Sequence, residues 1–253
     1  MKPIYIKKEV ALKKVSVKYN PIVKDVKSEL LKFSDKIHSI YLYGSVATGK
    51  AKSPTSDLDI VVVLKAKPST KLKAQLKDLE TSLSEKYQKV FREVGFAITY
   101  KNEVLRGKEA FGWRFFLTIL SVKIFGDNLF QKEMKFSPTK KLARNLHSDV
   151  DKNIAEAKKK IKSANSEEAK LQIKSIMKKI IRTAFSIVME DENYWTTDLD
   201  EMTKIFTKYF PEKKQQINAV LKMAESKSPD RKSATSILNN FGKWVSSEYF
   251  KRM

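Results

Sequence analysis

Residues Ser39–Leu64 read SIYLYGSVATGKAKSPTSDLDIVVVL, and the reading of this stretch decides the fold. It opens with an apolar run, Ile40-Tyr41-Leu42-Tyr43, that stops at Gly44-Ser45. A polar loop containing Gly49 follows and closes on Ser56-Asp57-Leu58-Asp59, which runs straight into Ile60-Val61-Val62-Val63-Leu64. An unbroken β-branched run of this kind predicts a strand buried on both faces. Side chains alternate along a strand, so Asp57 and Asp59 share one face and Leu58 takes the other. Two carboxylates aimed the same way repel each other, and a cation between them removes that cost. Hard divalent ions take oxygen ligands, and Mg²⁺ typically uses one or two carboxylates together with substrate phosphate oxygens. Asp57 and Asp59 are therefore the candidate metal ligands. The Gly44-Ser45 turn offers phosphates a closely approachable backbone, exposed amides and a hydroxyl donor. With Lys50 in the loop and Ser56 ahead of the aspartates, these residues form the candidate nucleotide-binding set.

The bulk properties narrow the function classes. A chain of 253 residues with 42% hydrophobic content is long enough to bury a substantial core and to divide into two modest domains. There is no cysteine, which excludes disulfides, thiolate catalysis and Cys-based zinc sites. His38 and His147 are the two histidines, too few for a His-rich metal centre and a poor basis for a Ser-His-Asp triad. The net charge is +22, but of 51 basic residues only seven are arginine, the residue best suited to bidentate phosphate and base recognition. That charge draws polyanions such as nucleoside triphosphates toward the protein, and it leaves RNA open as a substrate. The N-terminal MKPIYIKKEVALKKV has no uninterrupted apolar core of a signal peptide. The longest apolar segment, Phe111–Phe125, is interrupted by Arg114 and Lys123 and is too short to span a bilayer. The expectation is a cytoplasmic protein without a membrane segment.

Along the chain, residues 1 to 22 are Lys-rich and are read as a short helix or an edge strand. Val23, Val26, Leu30, Leu31 and Phe33 predict an amphipathic helix from Pro21 to Ile37, with His38 at its end. Ser69 is the expected N-cap of a long helix whose apolar face carries Leu72, Leu76, Leu79, Leu83, Tyr87 and Val90. Phe91–Tyr100, FREVGFAITY, reads as the next strand, and residues 111 to 125 as a buried helix with Trp113 in the core. A boundary falls at Phe136-Ser137-Pro138, after which the apolar spacing is helical throughout and predicts an all-α domain of about five helices.

The order Gly44-Ser45, Gly49, Ser56-Asp57-x-Asp59 and an apolar strand resembles the polymerase-β-type nucleotidyltransferase superfamily over Tyr41–Leu64. Lys179–Ala224 is similar to the helical domain of aminoglycoside adenylyltransferases: a helix, an acidic-aromatic turn, a helix ending at a proline, then another helix. The resemblance implies an α+β fold. A nucleotidyltransferase-type mixed sheet with flanking helices would occupy residues 1–137, and an all-α bundle, residues 138–253, would complete the acceptor cleft. In those adenylyltransferases a third carboxylate comes from a strand downstream of the aspartate pair, which here implies Glu93. Glu93 would join Asp57 and Asp59 either as a metal ligand or as the base for the acceptor hydroxyl. Strand register decides this, since a slip of one residue turns Glu93 to the opposite face. Glu103 is the substitute candidate. ATP is the implied donor, with the other triphosphates left open, and two Mg²⁺ ions are the expected cofactors.

Glu190, Asp191, Glu192, Asp198, Asp200 and Glu201, beside Tyr194 and Trp195, are the acidic concentration of the chain. Glu190, Asp191, Trp195 and Asp198 are the candidate wall of a pocket for a cationic acceptor. Ordinary helix-end chemistry competes with that reading: it accounts well for Asp198, Asp200 and Glu201, and poorly for the three acids that close the preceding helix. The expected function is Mg²⁺-dependent transfer of a nucleoside monophosphate, AMP from ATP, to a hydroxyl of a small, aminoglycoside-like molecule. The alternatives are an RNA (tRNA) or protein nucleotidyltransferase of toxin–antitoxin type, and a catalytically lapsed nucleotide- or RNA-binding protein.

Overall fold

The two apolar runs of the signature stretch form the centre of a four-stranded mixed sheet. The computed structural model describes residues 4–130 and 134–253. Strands β1 (Ile37–Tyr43) and β2 (Leu58–Leu64) pair antiparallel, with Ile40 opposite Val62 and Tyr43 opposite Asp59. Strand β3 (Val94–Tyr100) runs parallel to β2, Leu58 level with Val94 and Asp59 level with Gly95. Strand β4 (Ser121–Gly126) lies antiparallel on the other side of β1, giving the order β3-β2-β1-β4.

A parallel neighbour requires a crossover between the two strands. Here it is a helix over Thr70–Tyr87, started by Ser69, whose hydroxyl accepts from the Leu72 amide at 3.2 Å. One face of the sheet carries Ile40, Leu42, Ile60 and Val62 and is covered by Leu76 and Leu83 of that helix and by Val26 and Leu30 of a helix over Asn20–Leu31. The other face carries Tyr41, Val61 and Val63, packed with Val104, Leu117, Trp113 and Phe116. Both faces of β2 are thus apolar and fully buried from Ile60 to Val63, as its unbroken β-branched run requires.

The chain forms two compact units, one of Lys7–Phe136 and one of Ser137–Met253 with the chain start up to Ile6. Several expectations are corrected within the first. The N-terminal part forms single 3-10 turns at Leu12–Lys14 and Val17–Tyr19. The following helix, α1 (Asn20–Leu31), stops before Ile37, because Ile37 opens β1. His38 is accordingly a strand residue and not a helix end. The helix expected over 111–125 is half strand. Helix α5 (Ala110–Phe115) continues into a wider turn at Phe116–Leu120, and Ser121 then begins β4. A continuous apolar run does not distinguish a buried helix from a buried strand; pairing with β1 settles it.

The second unit contains seven helices among the described residues: α6 (Lys140–His147), α7 (Val150–Ser163), α8 (Ser166–Glu192), α9 (Leu199–Tyr209), α10 (Lys214–Glu225), α11 (Arg231–Ile237) and α12 (Lys243–Arg252). The count exceeds the expected five because the stripe from Leu142 to Ile154 breaks at Ser148-Asp149, and the last helix is interrupted over Leu238–Gly242. Helix α8 is the axis: Ile173, Met177, Ile180, Ala184 and Val188 are buried along it, and α7, α9, α10 and α12 pack against it. A capping box between Asn165 and Glu168 sets its start. No described helix is long and apolar enough to cross a membrane.

Candidate active site

Asp57 and Asp59 stand where β2 begins, and alternation puts them on the face that carries Val61 and Val63. Parallel pairing brings Glu93 beside them: the Leu58 amide donates to the Glu93 carbonyl at 2.9 Å, one step ahead of the Leu58–Val94 pair. Register therefore aims Glu93 with the aspartates, although β3 itself starts at Val94, three residues later than the strand expected from Phe91.

Arg92 ties this group together. Its Nε donates to Asp57 Oδ1 at 2.8 Å and its Nη2 to Asp57 Oδ2, while Nη2 also reaches Glu93 Oε1 at 3.3 Å. The hydrogen bond to Asp57 holds the guanidinium pKa above its ordinary value. Sequence reasoning missed Arg92: its side chain meets Asp57 only once β2 and β3 are paired. The backbone amide of Arg92 also donates to the Ser56 carbonyl at 3.0 Å, joining the start of β3 to the aspartate turn.

Asp59 sits deepest against the sheet, level with Gly95 and opposite Tyr43. Burial first, and then the charges of Asp57 and Glu93, push its carboxyl up to about 7 against the opposing pull of Arg92. Tyr43, its partner on β1, is pushed up for the same reasons, burial first and Asp59 next. The Tyr43 ring stands edge-on to Phe116 at 4.9 Å and closes one side of the site. Beside Asp59 lies a cavity of about 500 Å³ lined by Tyr43, Glu80, Glu93 and Gly95 among others. Gly95, level with Asp59, has open space where a side chain would be. Glu80 accepts from the Phe96 amide at 2.6 Å and pairs with Lys77, so it caps the free edge of β3.

The turn after β1 is a single helical turn, Gly44–Thr48, entered with Gly44 at φ +70° and left with Gly49 at φ +77°. A Cβ at Gly44 would run into the Asp59 carboxylate, so the glycine serves both the left-handed conformation and the close approach. Gly44→Ala is expected to displace Asp59 and lower turnover at this site by about 10²-fold or more, measured as kcat/KM beside wild type. An unchanged rate would detach Gly44 from the site. Ser45 is half-buried in this turn, and its carbonyl accepts from the Lys50 amide at 2.9 Å. Lys50 lies exposed just past Gly49. The Ser56 hydroxyl accepts from the Lys52 amide at 2.8 Å, which makes Ser56 a brace for the aspartate turn.

The remaining candidates belong to other elements. Glu103 sits on a short helix, Lys101–Arg106, accepting from the Tyr100 hydroxyl at 3.1 Å, and is not among the charges that act on Asp59. In the helical unit, Asp198 caps α9 by accepting from the Asp200 and Glu201 amides at 3.1 and 3.2 Å. Glu190 accepts from the Lys140 amide at 3.0 Å, and Glu192 binds Lys208 at 2.7 Å and the Tyr209 hydroxyl at 2.8 Å. Contacts distant in sequence thus account for two acids that helix-end chemistry of their own helix does not. Asp191 is exposed, and Trp195 stands edge-on to Phe185 at 6.5 Å.

Among the described residues no three His, Asp or Glu side chains close into a metal-sized group. The donor chemistry nevertheless fits Mg²⁺, which needs only one or two carboxylates when phosphate oxygens complete its shell. Asp57 and Asp59 supply two hard oxygen donors, and Asp59, raised first by burial and then by the like charges of Asp57 and Glu93, is relieved by a cation.

Residues 25–109 match the family model described as polymerase beta, nucleotidyltransferase. Among solved structures, the chain is similar to the spectinomycin adenyltransferase AAD(9) from Enterococcus faecialis, determined with ATP and spectinomycin. That likeness has a TM-score of 0.59 at 13% identity and covers 91% of this chain and 99% of that one. At this identity the likeness is one of fold. No curated protein matches the chain in sequence.

Proposed function

Starting from a chain whose residues 25–109 form a nucleotidyltransferase domain of the polymerase-β type, we propose that it moves AMP from ATP to a hydroxyl of a small, amine-bearing acceptor. The observation that carries this reading is the grouping of Asp57, Asp59 and Glu93 beside an open cavity and the Gly44 turn. The adenyltransferase of similar fold, which holds ATP and spectinomycin, supports donor and acceptor class alike.

Asp57 and Asp59 would hold the Mg²⁺ ions. When bound, these supply charge neutralisation at the phosphates and polarise the reacting phosphorus. Gly44 lets the backbone come close to the triphosphate, and Ser45 offers its hydroxyl to a phosphate oxygen. Glu93, with its side chain 57% exposed, is open to an incoming acceptor. Glu93 takes the proton of the acceptor hydroxyl as that oxygen attacks the α-phosphorus in line. The bond to the bridging oxygen breaks and pyrophosphate leaves. Positioning and charge neutralisation supply most of the acceleration in such transfers.

A net charge of +22 favours a second acceptor class, RNA, because it attracts polyanions and repels cationic molecules at long range. One experiment separates them. The protein is incubated with α-labelled ATP, Mg²⁺ and, in turn, an aminoglycoside and aminocyclitol panel, total tRNA and a protein extract. Label on a small molecule is the expected outcome. Label confined to tRNA moves the reading to the second class, and no label anywhere overturns both.

A further inference from the structure

We propose that Arg92 is a latch on the cation site: it holds Asp57 until a triphosphate arrives to take over the guanidinium, so that metal and nucleotide load together. The inference rests on the nucleotidyltransferase reading and adds to it a positioning residue and an order of loading.

Both carboxylate oxygens of Asp57 are engaged by the Arg92 fork, and the same Nη2 reaches Glu93 at 3.3 Å. Paired N–H donors on a carboxylate form the strong, geometrically specific version of an ion pair. A cation can use the lone pairs of Asp57 that the fork occupies only if the fork lets go, and on the remaining ones it meets the guanidinium's positive charge. A bare divalent ion would displace the guanidinium and leave two positive groups side by side. A metal–triphosphate complex brings its own anionic oxygens, which suit the guanidinium as well as a carboxylate does. Displacement is therefore unfavourable for the metal alone and favourable for the metal with nucleotide.

The anchoring of Arg92 fits a part that turns without being lost. Its backbone amide is fixed to the Ser56 carbonyl at 3.0 Å, next to Asp57, and the preceding Phe91 is buried in the core. Its side chain is 36% exposed and lies at the rim, so the guanidinium can swing from Asp57 to a phosphate with the main chain at rest.

The test uses Mn²⁺ as the probe, its free concentration followed by electron paramagnetic resonance with the full-length protein. Wild type, Arg92→Met and Arg92→Lys are titrated with and without a non-hydrolysable ATP analogue. Wild type is expected to bind Mn²⁺ about tenfold or more tightly with the analogue than without it, a coupling of ordinary allosteric size. Arg92→Met is expected to bind Mn²⁺ alone about tenfold more tightly than wild type and to gain little from nucleotide. Circular dichroism reports whether the Met variant folds. If it does not, the Lys variant, which keeps the charge and loses the fork, carries the same expectation in weaker form. Mn²⁺ affinity without nucleotide that is unchanged or weaker in the folded variant overturns the latch alone. Absence of Mn²⁺ binding by wild type even with the analogue overturns the nucleotidyltransferase reading and the latch with it.

Discussion

Asp59→Asn is expected to be inactive and, at pH 8 without divalent ions, more stable than wild type. The Asp59 carboxyl, pushed up to about 7, binds its proton more tightly in the folded chain than in the unfolded one. Its contribution to stability is full below the ordinary carboxylate range near pH 4 and is lost as pH rises through 7. Above neutrality the folded protein therefore carries a buried charge that Arg92 only partly offsets, a cost on the order of 2–4 kcal/mol. Asparagine is nearly isosteric and cannot ionise, so the variant avoids that cost. Urea unfolding at pH 8 is expected to show the variant ahead by this order, with the gap closing as the pH falls toward 4. Mg²⁺ together with a non-hydrolysable ATP analogue at pH 8 is expected to raise the melting temperature of wild type by much more than that of the variant. With the analogue present, the apparent Mg²⁺ affinity of wild type is expected to fall about tenfold per pH unit below 7, as the proton competes for Asp59. Transfer activity should drop by about 10³-fold or more once a ligand of the metal is neutralised. A variant that is less stable than wild type at pH 8 would mean that Asp59 carries no unrelieved charge in the fold.

Opposed effects of one substitution on stability and activity would mark a site, since a purely structural aspartate loses on both counts. They also explain how much of this molecule was legible before its structure. The aspartate turn could be read because the features that mark Asp57 and Asp59 are local: the Gly44 turn, the loop and β2 fall within one short stretch, and alternation fixes the facing. The helix over Thr70–Tyr87 could be read for a similar reason, having its cap and apolar stripe in its own sequence. What could not be read depends on partners far along the chain. Strand β4 is a strand because it pairs with β1, some 80 residues earlier. Arg92 is a neighbour of Glu93 in sequence, but its grip on Asp57 exists only through the β2–β3 register. Glu190 and Glu192 seemed to want a ligand because negative charge is unfavourable at a helix C-terminus. Their partners, the Lys140 amide and the Lys208 and Tyr209 side chains, belong to other helices.

Glu93→Gln is expected to abolish turnover while leaving the affinity for Mg²⁺-nucleotide within a few-fold of wild type. Glu93 differs from the two aspartates in exposure: its side chain is 57% exposed against 22% for Asp57. An open carboxylate next to a metal–nucleotide site is suited to meet a second substrate, whereas the half-buried pair is suited to hold the first. Glutamine keeps the size of the side chain and an oxygen for the Arg92 contact, and loses only the capacity to accept a proton. General-base catalysis contributes about 10²–10⁴-fold, so kcat should fall by that factor while the dissociation constant of the Mg²⁺–ATP complex, measured without acceptor, stays near its original value. The other assignment open to Glu93 predicts a different pattern. As a metal ligand, its loss would weaken Mn²⁺ binding in the presence of the ATP analogue together with kcat, and raising Mg²⁺ would recover part of the rate. As a base, no concentration of Mg²⁺ would recover it, and the residual rate would climb with pH as hydroxide and bulk base take over the proton. The two titrations, Mg²⁺ and pH, on a single variant thus assign Glu93 to the acceptor or to the metal. Wild-type turnover in Glu93→Gln would remove it from both.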